Sequence, residues 1–151
     1  METQIIKVKI ISESGILPAY ETTGSAGMDI RAFLNEPIRL APGERALIPT
    51  GIRIELPMGL EAQIRARSGL SIRHGLAMVN GVGTIDSDYR GEIMLPVINL
   101  GEDTILIENG DRLAQMVIAR YERISWEPAT KLSETERSEG GFGHTGIKET
   151  R

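Results

Sequence analysis

The stretch IRIELPMGLEAQIRAR, residues 52–67, repeats with a period of two on either side of a turn. Ile52, Ile54 and Leu56 alternate with Arg53 and Glu55, and Ala62, Ile64 and Ala66 alternate with Gln63, Arg65 and Arg67. Successive side chains of a strand point to opposite faces, so this alternation predicts two strands that each press one face into a core. Between them PMGL (57–60) has the Pro/Gly punctuation of a turn. The same punctuation recurs at APGE (41–44), NGVG (80–83) and LGED (100–103), and the alternating runs near it, such as 52–56 and 62–66, are short. Many short strands separated by Gly/Pro turns predict an all-β sandwich or barrel. The helical candidate is SGLSIRHG, 68–75, and it is short.

Two runs depart from the alternation. IMLPVI (93–98) and LAQMVIA (113–119) are almost continuously apolar, which predicts cover on both faces. The core of an all-β chain of this size covers one face of a sheet. A second subunit packed around a symmetry axis is the expected cover for the other, with a thick core and a covering loop as the plainer alternative. From Ser133 onward the character changes. SETERSEGGFGHTGIKETR has only Phe142 and Ile147 as sizeable apolar side chains, so it cannot bury enough surface to offset its ordering entropy. Residues 1–132 therefore read as one β domain and 133–151 as a mobile C-terminal arm.

Composition limits the function classes. The chain has 151 residues, 40% hydrophobic and 25% charged, with a net charge of -4, as expected of one globular domain. Such a charge argues against a general nucleic-acid binder. There is no cysteine, hence no disulfide or thiolate metal site, and the two histidines are His74 and His144. METQIIKVKI, 1–10, interrupts its apolar residues with charge and lacks a signal-peptide core, and no segment reaches membrane-span length. A cytoplasmic protein without membrane or nucleic-acid partners is expected.

Five polar stretches remain. IDSDYRGE (85–92) has Asp86, Asp88 and Gly91 at the first, third and sixth positions of a calcium loop. Its fifth position is Arg90 and its twelfth would be Val97, so calcium is rejected. A polar hairpin turn is the plain reading, yet Tyr89 is bulky for one. An acid three residues before a ring suits a base beside a stacking platform. RARSGLSIRHG (65–75) surrounds a helix start with arginines, which suits phosphate but also an ordinary basic turn. GSAGMDIRA (24–32) leads small residues into Asp29, and NGDRLAQM (109–116) sets the amide of Gln115 in an apolar strand. SEGGFGHTG (138–146) includes a formal GxGxxG, but only five residues follow it, too few for the helix of a dinucleotide fold. Nor does Ile147-Lys148 complete a P-loop. Each stretch alone reads as structural more often than as chemistry.

In order, AGMDIRA, RSGLSIRHG, NGVGTIDSDYRGE, GDRLAQM and ERSEGGFGHTG resemble the five motifs of the trimeric dUTP pyrophosphatases, over about Gly24 to Gly146. Met28 stands where that family often has an aromatic, and Ser138 where it often has glycine. The resemblance implies a jelly-roll-like β barrel with one short helix and a flexible C-terminal arm. It implies a homotrimer with sites shared between subunits, each arm closing over a neighbouring subunit's site. The implied reaction is hydrolysis of dUTP to dUMP and pyrophosphate, keeping dUTP low and supplying dUMP for thymidylate synthesis. The cofactor is Mg2+, held by substrate phosphates and water and not directly by protein.

By the same resemblance Asp86 is the base that activates water for attack at the α-phosphorus, and Asp29 orders the magnesium-bound waters. Gln115 approaches the α-phosphate or its water, and Arg67, Ser68 and Gly69 contact phosphates. Tyr89 lies under the deoxyribose and excludes a 2′-hydroxyl. Asn80 and the backbone through Gly83 and Thr84 read uracil, and Met94 is a further substrate-binding position. In the arm, Arg137 pairs with the outer phosphates and Phe142 stacks on uracil. Gly143, His144 and Thr145 offer donors to the γ-phosphate. A dCTP deaminase of the same fold and a non-catalytic trimeric nucleotide-binding module are the alternatives.

Overall fold

A computed structural model describes residues 5–148 of the chain. Residues 1–4 at the start of the expected β domain, and 149–151 at the end of the expected arm, lie outside the described residues. The elements in chain order are β1 (Lys9–Ser12), β2 (Gly27–Arg31), β3 (Ile38–Leu40), β4 (Arg45–Pro49), β5 (Ile52–Glu55), β6 (Leu60–Ala66), α1 (Ser68–His74), β7 (Leu76–Met78), β8 (Val82–Ile85), β9 (Met94–Asn99), β10 (Ile105–Ile107) and β11 (Arg112–Arg120). All strand pairs are antiparallel. β2, β11, β6 and β8 form one sheet in that order and β4, β9 and β7 a second, while β1–β5 and β10–β3 are two-stranded. The architecture is the expected jelly-roll-like β barrel.

The period of two explains the core. In β5, Ile52 and Ile54 are buried and Arg53 and Glu55 exposed. In β6, Leu60, Ala62 and Ile64 are buried between less buried neighbours. With Ile30, Leu40, Ile48, Ile93, Leu95 and Ile107 they fill the space between the sheets. Burial of that apolar surface is the main favourable term of folding. α1 ends at Gly75, whose φ of 74° closes the last turn through bonds to Leu70 O and Ser71 O. Among the described residues, no helix is long and apolar enough to cross a membrane.

β9 and β11 behave differently from a doubly covered strand. Leu95, Val97 and Asn99 are buried, whereas Met94, Pro96 and Ile98 are only half-buried. Gln115, Val117, Ile118 and Ala119 of β11 are half-buried too. Within one chain, the second face of each apolar run is thus incompletely covered.

β11 is the last element, and the Tyr121 backbone N–H still donates to Gly59 O at 3.1 Å. Every residue from Glu122 to Glu139 is exposed. The strand framework therefore ends before the change of composition at Ser133, and Ile124, Trp126 and Leu132 lie outside it at 70%, 87% and 83% exposure.

Candidate active site

One polar cluster lies across β2, β11 and β6. Register pairs Asp29 with Gln115 and Gln115 with Arg65. Gly27 leaves the room that the Gln115 side chain uses, since a Cβ there would lie 2.6 Å from Oε1. Gln115 Nε2 reaches toward Ala66 O at 3.4 Å. Arg67 follows β6 and turns back, its Nε 3.2 Å from Asp29 Oδ1 and its Nη1 donating to Arg112 O at 2.9 Å. Arg112 Nη1 stands 3.4 Å from Asp29 Oδ2. The Asp29 carboxylate is thus held between two guanidiniums, a trio of net charge about +1, with the exposed Glu21 carboxylate 4.0 Å from Arg112 Nη1. These pairs are partly exposed and add little stability. Their effect is to orient Arg67 beside the exposed Ser68 and Gly69, a cationic edge that suits a polyanion.

Arg112 joins this cluster without a signal of its own in the sequence. It stands inside GDRLAQM, but a lone arginine before an apolar strand carries no signal until the fold sets it against Asp29.

The second group belongs to β8 and the turn after it. Gly83 faces Ile64 so closely that a Cβ would lie 3.2 Å from the Ile64 Cβ and 3.5 Å from Asn80 Nδ2. The strand therefore presents bare backbone beside the Asn80 amide. Thr84, opposite Gln63, is exposed. Asp86 opens a turn closed by Tyr89 N–H donating to Asp86 O at 3.1 Å. The Tyr89 ring lies over Gly91, where any Cβ would collide with it, and its hydroxyl donates to Glu92 O at 2.9 Å. The Glu92 side chain in turn accepts from Gly51 N at 2.9 Å. Asp86 is exposed, and among the described residues its carboxylate makes no hydrogen bond or ion pair. Met94 is half-buried in β9 opposite Pro49, in the other main sheet.

The two groups do not meet in one chain. Ile85 faces Ala62 at one end of β6, while Asp29 aligns through Gln115 with Arg65 near the other. β2 and β8 are also the outermost strands of the four. At the usual strand rise and spacing, Asp86 lies roughly 13 Å along the strands and 14 Å across them from Asp29.

The arm forms a third group. Arg137 Nε donates to Gly140 O at 2.7 Å, and backbone turns link Gly141 to His144 and Gly143 to Gly146. Arg137, Gly143, His144 and Thr145 line one open concavity with Thr135 and Glu136. Phe142 is fully exposed, with φ of 51°. The arm's hydrogen bonds among the described residues run within the arm and reach neither of the other groups.

A cavity of about 790 Å³ opens beside the first cluster. Arg67 and Arg112 stand at its edge, with α1 on one side and residues 100–107 on the other. No group of three or more His, Cys, Asp or Glu that could hold a metal ion occurs among the described residues. The cationic surround of Asp29 suits a polyphosphate, and a hard divalent ion arriving with that ligand would take its ligands from the phosphates and water, with both Asp29 oxygens already paired to Arg67 and Arg112.

A family model described as dUTPase matches residues 13–146. The chain is 56% identical to the deoxyuridine 5'-triphosphate nucleotidohydrolase of Finegoldia magna over 142 residues, covering 93% of this chain and 99% of the relative. It is 54% identical to the enzyme of that name from Rickettsia felis over 145 residues, 96% and 98% of the two chains. Among solved structures, the dUTPase of Staphylococcus bacteriophage 80alpha with dUpNHpp superposes with a TM-score of 0.84 at 26% identity, covering 96% of this chain and all of that one.

Proposed function

The chain belongs to the dUTPase family and is by that membership a dUTP diphosphatase, and we propose that its active site is completed only between subunits of a homotrimer. The observation that carries this reading is the separation of Asp86 from Asp29 within the sheet. A triphosphate in extended form is shorter than that gap. Two groups that must act on one α-phosphate have to come from different copies. The half-covered faces of β9 and β11 offer surface for such packing.

In this site the pyrimidine lies along the Asn80–Thr84 backbone. Uracil presents acceptor, donor, acceptor on its pairing edge, and a fixed backbone leaves cytosine with unpaired groups. Tyr89, locked by its bond to Glu92 O, packs under the deoxyribose and leaves no space for a 2′-hydroxyl. Asp86 takes a proton from the water that forms the new bond to the α-phosphorus. The bond from that phosphorus to its bridging oxygen breaks, and the electron pair leaves with pyrophosphate. Arg67 and Ser68 of a neighbour meet the charge that builds there, and Gln115 holds the α-phosphate or its water. Mg2+ would supply charge neutralisation on the phosphates when bound with them, and Asp29 would order its waters. Arg137 and Phe142 close the site from an arm, and Gly143, His144 and Thr145 donate to the γ-phosphate. The solved structure of the phage dUTPase with dUpNHpp supports a triphosphate ligand of this kind.

The test is incubation with dUTP or dCTP and Mg2+ while pyrophosphate and ammonia are measured. Pyrophosphate from dUTP alone is expected. Ammonia from dCTP would replace the reading with a deaminase, and no product from either would leave a binding module.

A further inference from the structure

Asp86 carries its charge on an exposed turn with no side-chain partner among the described residues, so the turn's backbone alone sets its direction. The next residue, Ser87, is gripped at both of its oxygens. Its hydroxyl lies 3.1 Å from the Tyr121 hydroxyl, and its carbonyl accepts from Arg90 Nη1 at 2.7 Å. Arg90 reaches Glu55 of β5 at 3.6 Å. Tyr121 is itself fixed, since its backbone N–H bonds to Gly59 O in the turn that begins β6. Among the described residues it is also the last to hydrogen-bond to the barrel, ahead of the exposed run from Glu122 to Glu139. A half-buried phenol from the end of β11 thus ties a half-buried serine 34 positions away, immediately beside the carboxylate that must aim one water.

We infer that Tyr121 is a positioning residue for dUTP hydrolysis, acting through Ser87 to hold the turn that aims Asp86. The inference rests on the reading of Asp86 as the base. Misplacing a reacting group by an ångström costs up to about a hundredfold in rate, and loss of one restraint of two, with the Arg90 contact kept, corresponds to roughly tenfold. Substrate contacts at Asn80–Thr84 and Arg67 do not depend on the phenol, so binding is left in place.

The experiment measures kcat, KM for dUTP and thermal midpoint for the full chain with Mg2+. The variants are Tyr121→Phe, Ser87→Ala, the double variant and Ser87→Thr, with the wild type and Asp86→Asn alongside. Each single deletion of a hydroxyl is expected to lower kcat about tenfold with KM within about twofold. The double variant should be no slower than either single one, because both remove one contact, and Ser87→Thr should retain most of the rate. Single variants within twofold of wild-type kcat, or losses that multiply in the double variant, would overturn the inference. Ser87→Ala keeps the test valid if Tyr121→Phe folds poorly. Full turnover by Asp86→Asn would instead remove the base, whatever Tyr121 does.

Discussion

Asp86 and Tyr89 sit three residues apart but face opposite physical demands. Asp86 is solvated and unpaired among the described residues, as a group that must hold a water should be, whereas Tyr89 is locked by the Glu92 carbonyl and the bare Cα of Gly91. Asp86→Asn keeps shape and hydrogen bonding but removes the proton acceptor. Turnover should fall by about two to four orders of magnitude while nucleotide binding persists, measured by pyrophosphate release and by titration with a non-hydrolysable analogue. Near-normal turnover would exclude Asp86 from the chemistry. Tyr89→Ala opens space beneath C2′, so the ratio of kcat/KM for UTP to that for dUTP should rise on the order of tenfold. An unchanged ratio would place sugar sensing elsewhere. Both residues were legible in IDSDYRGE, because a local turn sets their spacing. Arg112 was not, because its role depends on an ion pair to a residue 83 positions away.

Elements owe their places to different causes. β5 and β6 follow from alternation alone, and the short helix from its glycine boundary. The end of β9 needs one buried amide. Asn99 Nδ2 donates to Leu40 O at 2.9 Å and to Asp103 O at 2.8 Å, while Oδ1 accepts from Gly101 N at 2.8 Å. Asn99→Ala should therefore destabilise the chain by about 2–4 kcal/mol, read by denaturant unfolding, because buried partners lose their bonds. A loss below about 0.5 kcal/mol would mean that water replaces the amide. The arm is the opposite case, with no hydrogen bond to the barrel among the described residues. Phe142→Trp should change its fluorescence when the analogue and Mg2+ are added, since the ring is fully exposed. No change with binding confirmed would count against stacking on the base.

At the scale of the whole molecule, the separation of Asp86 from Asp29 makes a complementation experiment decisive. Asp86→Asn and Arg67→Ala chains are each expected to form poorly active trimers. Unfolding, mixing in equal amounts and refolding reassorts the subunits. If the hairpin and the Arg67 cluster of one site come from different chains, about a quarter of sites regain both intact residues by random assembly of a cyclic trimer. If each chain builds its own site, no mixture restores one. Recovery no greater than the sum of the parents, with mixed trimers demonstrated, would sink the shared site.

The sequence by itself determined the alternating strands β5 and β6, the apolar runs of β9 and β11, the short helix and the order of the polar motifs, because alternation, Gly/Pro punctuation and hairpin chemistry act over a few residues. Its five motifs also pointed to the family in chain order. Only the tertiary structure decided which motifs stand together. It set Asp29, Arg67, Arg112 and Gln115 side by side, moved Asp86 and Tyr89 to the far end of the same sheet, and joined Tyr121 to Ser87. Strand order and register carry that information, and they are set by how the whole apolar pattern packs, not by any local run.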